Sequence, residues 1–113
     1  MDNLIAIVDY NRKQIDGSTD DVMPLGSLND KFSAFNWIVL EMDGNNMEEV
    51  VLTLKKAKGM LHNGRPVVIV MKTEMGMGVD FMMGTHKWHG TPPNAEQAEK
   101  ALAQLPQTSL GDY

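Results

Sequence analysis

Three short runs of apolar, strand-forming residues are the strongest pattern in the chain, at 4–8, 38–42 and 67–71. Each run is too short for a helix of usual length. The first and third contain no polar position, which is typical of strands covered on both faces rather than half-wet edge strands. No hairpin turn joins one run to the next. The pattern therefore predicts three buried, parallel strands.

A helix is predicted between the second and third strands. Asn46 is a suitable N-cap, and Glu48 and Glu49 complement the positive end of the helix dipole. Asn63-Gly64 offers a left-handed stop. Apolar residues recur every three or four positions and form one face: Met47, Val50, Val51, Leu54, Ala57 and Leu61.

Two further helices are predicted, one after Ser27 and one from Asn94 to Pro106, where proline ends it. Strands that alternate with helices are typical of a parallel sheet with flanking helices, so the predicted class is α/β. Two long segments, 9–26 and 73–93, are predicted to be irregular. Both begin at the carboxyl end of a strand, which is where open α/β sheets bind ligands.

Composition narrows the range of functions. The chain has 113 residues, no cysteine and a formal charge of -5, so disulfides and thiolate metal sites are excluded and binding to nucleic acid is not expected. No apolar run approaches the roughly 20 residues of a membrane span. We expect one small domain in the cytoplasm, without a membrane segment.

The first irregular segment places an amide side chain, Asn11, and a turning backbone directly after a strand. Magnesium binds such oxygens and takes its remaining ligands from water and phosphate. The alternative is that Asp9, Asn11 and Asp16 only form turns and caps. Residue chemistry alone leaves both interpretations open.

The second irregular segment holds His86 and His89 among glycines and prolines. Zinc binding through this pair is not expected, because the spacing is useful only on a helix. A histidine beside Gly90-Thr91-Pro92 could instead donate a hydrogen bond to a phosphate or transfer a proton. The alternative is an ordinary loop histidine.

Taken together, four stretches resemble the diphosphate-binding domain of thiamine diphosphate enzymes of the transketolase family. Residues 2–17 resemble the strand and metal-binding turn of that family, and residues 27–44 resemble the next helix and strand. Trp88-His89-Gly90-Thr91-Pro92 resembles its histidine signature. The helix at 94–105 is similar to that of prokaryotic transketolases split into two chains.

The resemblance implies two cofactors, thiamine diphosphate and Mg2+, and assigns roles to five residues. Asn11 and the main-chain carbonyl of Lys13 would hold the metal, Ile15 and Met75 would contact the cofactor, and His89 would bind near the diphosphate and take part in catalysis. The family's metal-binding aspartate belongs to an earlier Gly-Asp-Gly motif, and Asp9 does not replace it.

The implied function is part of a transketolase that moves a two-carbon ketol unit between sugar phosphates in the pentose phosphate pathway. We expect residues 1–105 to form a partial domain and residues 106–113 a flexible tail. An upstream segment, a pyrimidine-binding subunit or domain and oligomerisation would then be needed, and the isolated chain would be inactive. The alternatives are a non-catalytic module that docks on a transketolase-like subunit, or a fragment of another thiamine diphosphate enzyme such as deoxyxylulose-phosphate synthase.

Overall fold

The computed structural model describes residues 1–107 and shows strands alternating with helices. The elements follow one another along the chain as β1 (Ile5–Tyr10), β2 (Lys13–Gln14), β3 (Gly17–Ser18), α1 (Thr19–Val22), α2 (Leu28–Ala34), β4 (Ile38–Asp43), α3 (Met47–Gly59), β5 (Val67–Lys72) and α4 (Ala95–Gln104).

The main sheet has three parallel strands in the order β1-β5-β4. Ile5 of β1 and Ile38 of β4 both lie opposite Val67 of β5, so all three strands end at the same edge. The last strand along the chain is therefore the central one, and its residues 67–70 are at most 2% exposed. The predicted α/β class and the three parallel strands are confirmed.

The prediction that β1 is buried on both faces is wrong. β1 is an edge strand, and Ile7 is 48% exposed although Ile69, its register partner on β5, is fully buried. A uniformly apolar run does not show which strand will have a neighbour on each side. Position in the sheet decides how much of such a strand is covered.

The three predicted helices are confirmed, together with the residues that start them. The Asn46 side chain accepts hydrogen bonds from the backbone amides of Glu48 and Glu49, and the Ser27 hydroxyl accepts one from Asp30. Asn94 and Gln97 form a reciprocal capping box at the start of α4. These polar side chains satisfy amides that have no partner within their helices.

The end of α3 differs in detail from the predicted stop at Asn63-Gly64. Gly64 is left-handed (φ 80°), but His62 also adopts a left-handed conformation (φ 64°). The His62 amide donates to the carbonyl of Asp2 at 2.8 Å, and the Asn63 side chain donates to the carbonyl of Met60 at 3.1 Å. The turn is therefore closed by a hydrogen bond from His62 to the start of the chain and by one from Asn63 back to the end of the helix.

The prediction that residues 9–26 are irregular is wrong in part. β1 continues to Tyr10, β2 and β3 pair as a small antiparallel hairpin, and the Ser18 side chain caps the single turn of α1. Elements of two to four residues are too short to produce a periodic pattern, so the sequence carries no signal for them. Residues 73–93 contain turns but no helix or strand, as predicted.

The core is small for a chain of this length. It centres on Met42, Ala57, Val67 and Ile69, between the sheet and α3. Several large apolar side chains outside it are exposed, among them Met23 at 70%, Phe35 at 78% and Leu52 at 58%. Residues 1–107 therefore leave much apolar surface uncovered.

No helix within residues 1–107 is long and apolar enough to span a bilayer. Pro106 and Gln107 are exposed, and the rest of the predicted tail, 108–113, lies outside the described residues. The division into a partial domain at 1–105 and a flexible tail stays a prediction.

Candidate functional site

A cleft of about 560 Å³ opens where the three parallel strands end. Three segments supply most of its lining, and Glu49 of α3 completes it. The segments are the end of β1 with the turn after it (10–13), the end of β4 with the connection after it (41–43 and 45), and the end of β5 with the loop after it (72–74 and 77). Because the strands are parallel, their three following connections meet at this one edge. The cleft lies where the sequence predicted a ligand site.

The turn after β1 is held in a specific shape. The Asn11 side-chain oxygen accepts a hydrogen bond from the Lys13 amide at 2.9 Å, and the Arg12 carbonyl accepts one from the Thr19 amide at 3.0 Å. Arg12 between them is left-handed, with φ 58°. This conformation costs a residue other than glycine on the order of 1 kcal/mol or more. The hydrogen bonds on either side therefore hold a strained turn.

An ion pair joins β4 and β5 at the wall of the cleft. The Lys72 ammonium lies 3.0 Å from Glu41, and the Asn29 side chain donates to the other oxygen of the same carboxylate at 2.8 Å. The hydrogen bond from Asn29, followed by that from Lys72, lowers the pKa of Glu41 below its usual value. Glu41 is therefore ionised at neutral pH and largely neutralises Lys72.

The connections after β4 and β5 are fastened to each other. The Gly44 amide donates to the carbonyl of Lys72 at 2.7 Å, and the Asn45 side chain accepts from the Glu74 amide at 2.7 Å. The Glu74 carboxylate in turn accepts from the amide of Gly84 at 2.7 Å. These contacts couple the 73–93 loop to the cleft.

The structure places two of the five predicted site residues, Asn11 and Lys13, in the lining of the cleft. Ile15 is 71% exposed at the tip of the β2–β3 hairpin, and Met75 is half-buried directly after Glu74. His89 is exposed, and its amide donates to the carbonyl of His86. Among the described residues, these three do not line the cleft, and their assigned roles stay predictions.

Sequence reasoning missed the contribution of the β4–α3 connection. The pattern at Asp43-Gly44 indicates only the end of a strand, yet Asp43, Asn45 and Glu49 all line the cleft. A signal does exist, because this connection also follows the carboxyl end of a parallel strand. It is easily missed because the connection is short and a strong helix pattern begins immediately after it.

The cleft offers some, but not all, of the oxygen ligands that a hard cation needs. Within residues 1–107, no group of three or more histidine or carboxylate side chains is placed to hold a metal ion. Asn11 and the Lys13 carbonyl provide amide oxygens, which Mg2+ accepts as ligands together with water and phosphate oxygens. Within residues 1–107 the Asn11 oxygen accepts one hydrogen bond, so its second lone pair is available to a metal ion.

Comparison with known proteins identifies relatives along nearly the whole chain. The family model for the transketolase thiamine diphosphate binding domain matches residues 1–108. An apulose-4-phosphate transketolase subunit from Phocaeicola vulgatus is 43% identical over 93% of the chain, and a 6-deoxy-6-sulfo-D-fructose transketolase subunit from a Clostridium species is 39% identical over 93%. The chain spans 37% and 38% of the lengths of these two relatives.

Comparison with solved structures also finds transketolases. The crystal structure of transketolase from Campylobacter jejuni superposes with a TM-score of 0.75 and 33% identity, over 90% of this chain and 16% of that one. The resemblance found in the strand, turn and histidine motifs is thus confirmed by overall sequence and by structure. The chain belongs to the transketolase family, within its thiamine diphosphate binding domain.

Proposed function

We propose that this chain forms one wall of the thiamine diphosphate site of a transketolase that transfers a two-carbon ketol unit between sugar phosphates. One observation carries the proposal. In a chain of this family, Asn11 and Lys13 line the cleft at the carboxyl edge of the sheet from a single hydrogen-bonded turn. Two oxygen ligands that lie one residue apart would suit Mg2+, a hard cation that binds few protein oxygens and also binds phosphate.

In this proposal the Asn11 side chain and the Lys13 carbonyl would hold Mg2+, which would supply positive charge for the cofactor's diphosphate. The bound cofactor supplies an electron sink, which amino-acid side chains lack. The chain itself binds and orients the diphosphate. His89, which is exposed, donates a hydrogen bond or moves a proton near the reacting groups.

Ile15 and Met75 provide apolar contact for the cofactor in the same proposal. The 71% exposure of Ile15 leaves apolar surface at the hairpin tip that a ligand or a partner would cover. Met75 lies beside Glu74, whose amide is bound by Asn45 at the cleft. Both residues are thus next to segments that line the cleft.

The biological setting follows from the relatives. Both curated relatives reported above are transketolase subunits, named for sugar compounds. We therefore propose sugar phosphates as substrates and a second, pyrimidine-binding subunit or domain as partner. Carbohydrate metabolism of the pentose phosphate type in the cytoplasm is the corresponding setting.

Calorimetric titration of the full 113-residue chain with thiamine diphosphate and Mg2+ tests the site. We expect weak binding, with a Kd above about 10 μM, because two metal contacts and one wall provide only part of a binding surface. Asn11→Ala should abolish the Mg2+-dependent part of the heat. That substitution removes the side-chain oxygen proposed to bind the metal.

Asn63→Ala is the matched control, because Asn63 is an exposed amide in the α3–β5 connection, at the opposite end of the strands. It should bind as the wild type does. Submicromolar affinity would show that the chain forms a complete site by itself. Equal binding by wild type and Asn11→Ala would contradict the role assigned to Asn11.

Exposed apolar side chains support a requirement for a partner, and equally the alternative of a docking module. Met47 and Val51 of α3 are 71% and 43% exposed, and Phe35 after α2 is 78% exposed. In sedimentation velocity we expect the isolated chain to associate in a concentration-dependent way, because such surface favours burial. Raising the salt concentration should not reverse this association, since apolar contacts are not screened. A monodisperse monomer would contradict obligatory docking.

A further inference from the structure

Among the described residues that line the cleft, Arg12 is the one non-glycine residue with a left-handed backbone. Its backbone is left-handed (φ 58°), a conformation that glycine adopts without cost and arginine does not. Two hydrogen bonds hold this conformation. The Lys13 amide donates to the Asn11 side chain, and the Thr19 amide donates to the Arg12 carbonyl. Strain that the surroundings enforce at a cleft is a reason to ask what the side chain does.

The cations of the cleft fall into two kinds. Lys72 is paired with Glu41 at 3.0 Å. In the described part of the chain, the other ion pair is Lys100–Glu96 on α4, so neither Arg12 nor Lys13 has a carboxylate partner. Nor does the Arg12 guanidinium donate a hydrogen bond to any of residues 1–107. Its donors are available to a ligand.

The carboxylates of the cleft are already engaged. Asp43 accepts from the Asn45 amide, Glu49 from the Asp43 amide and Glu74 from the Gly84 amide. These carboxylates lie at the end of β4, in α3 and after β5, whereas Arg12 and Lys13 lie together after β1. The lining as a whole carries four carboxylates and three cations. The positive charge that is not paired with a carboxylate is therefore confined to the turn after β1.

We propose that the Arg12 guanidinium binds a phosphate group of the ligand in this cleft. A guanidinium presents paired N–H donors that match phosphate oxygens, which makes it the side chain best suited to this contact. The identity of the ligand rests on the proposed function, in which thiamine diphosphate and sugar phosphates both carry such a group. Because Arg12 lies between the two proposed metal-binding residues, the metal and the guanidinium would neutralise the same anion.

The test is an NMR titration of the full chain with inorganic pyrophosphate in the absence of metal. We expect millimolar binding by the wild type, and about tenfold weaker binding after Arg12→Ala. Arg12→Gly also removes the guanidinium but fits the left-handed backbone, so it should lose the same affinity even if Arg12→Ala disturbs the turn. Arg65→Ala is the matched control, because Arg65 is the chain's other arginine and precedes the opposite, amino end of β5.

Binding that weakens equally in Arg12→Ala and Arg65→Ala would overturn the proposal, because it would reflect net charge alone. Absence of wild-type binding up to about 50 mM would overturn it too. Parallel titrations with thiamine diphosphate plus Mg2+ and with a pentose 5-phosphate show which source of phosphate Arg12 binds. If the wild type binds pyrophosphate through Arg12 and yet fails to bind thiamine diphosphate with Mg2+, that result supports this inference and rejects the proposed function. If the chain binds thiamine diphosphate with Mg2+ but Arg12→Ala binds pyrophosphate as tightly as the wild type, the proposed function stands and this inference is rejected.

Discussion

Replacing Ile69 by alanine is expected to lower the free energy of unfolding by about 3–4 kcal/mol. Ile69 is fully buried in the central strand β5 and belongs to the core cluster with Met42, Ala57 and Val67. Removing its side-chain carbons loses their burial and leaves a cavity between the sheet and α3. Because small domains are stable by only about 5–15 kcal/mol, a loss of this size removes a large fraction of the total stability.

Ile7→Ala is the matched control for Ile69. The two isoleucines lie opposite each other in register on neighbouring strands, but Ile7 is on the edge strand and is 48% exposed. The expected loss is about 1 kcal/mol, since less apolar area leaves the protein interior. Urea denaturation followed by circular dichroism measures both variants. Equal losses would contradict the position of β1 at the sheet edge.

Gly44→Ala is the second substitution with a large expected effect, a loss of about 2–3 kcal/mol in the free energy of unfolding. A β-carbon at Gly44 would lie 2.6 Å from Thr73 Cγ2 and would also clash with Met71 Cγ. Gly44 also donates its amide to the carbonyl of Lys72, so the two segments cannot separate without losing this hydrogen bond. Position 44 therefore has no room for a side chain beside the end of β5.

Gly59→Ala should have the opposite sign. Gly59 is the last residue of α3, and a β-carbon there meets no atom within 4 Å. Alanine favours the helix and should raise the free energy of unfolding by about 0.5–1 kcal/mol. Thermal denaturation measures both variants. Gly44→Ala reports on close packing, and Gly59→Ala reports on backbone entropy. A neutral Gly44→Ala would show that Met71 and Thr73 move aside at no cost.

Local signals predicted most of the fold because each has a short-range cause. Asn46, Ser27 and Asn94 start helices by binding amides within three residues of themselves. The three apolar runs form strands because their side chains suit a buried sheet. Neither kind of signal depends on distant parts of the chain. Boundaries and pairings do, which is why β2, β3 and α1 were not predicted.

The candidate site was predicted only as far as chain order allows. Parallel strands bring their following connections to one edge, so Asn11 and the residues after β5 could be assigned to a shared cleft from sequence. Asn45 was not predicted, because its contact with the Glu74 amide joins residues 29 positions apart. Arg12 was not singled out either, since a left-handed arginine leaves no mark in the sequence.

The sequence by itself determined the α/β class, the three helices with their caps and the family, since these depend on neighbouring residues or on motifs in chain order. Only the tertiary structure decided that the last strand is central and that Ile69 is buried while Ile7 is exposed. It also decided that Arg12 lies in the cleft without a carboxylate partner among residues 1–107. Burial and charge pairing depend on which distant segments meet, and that follows from packing the whole chain.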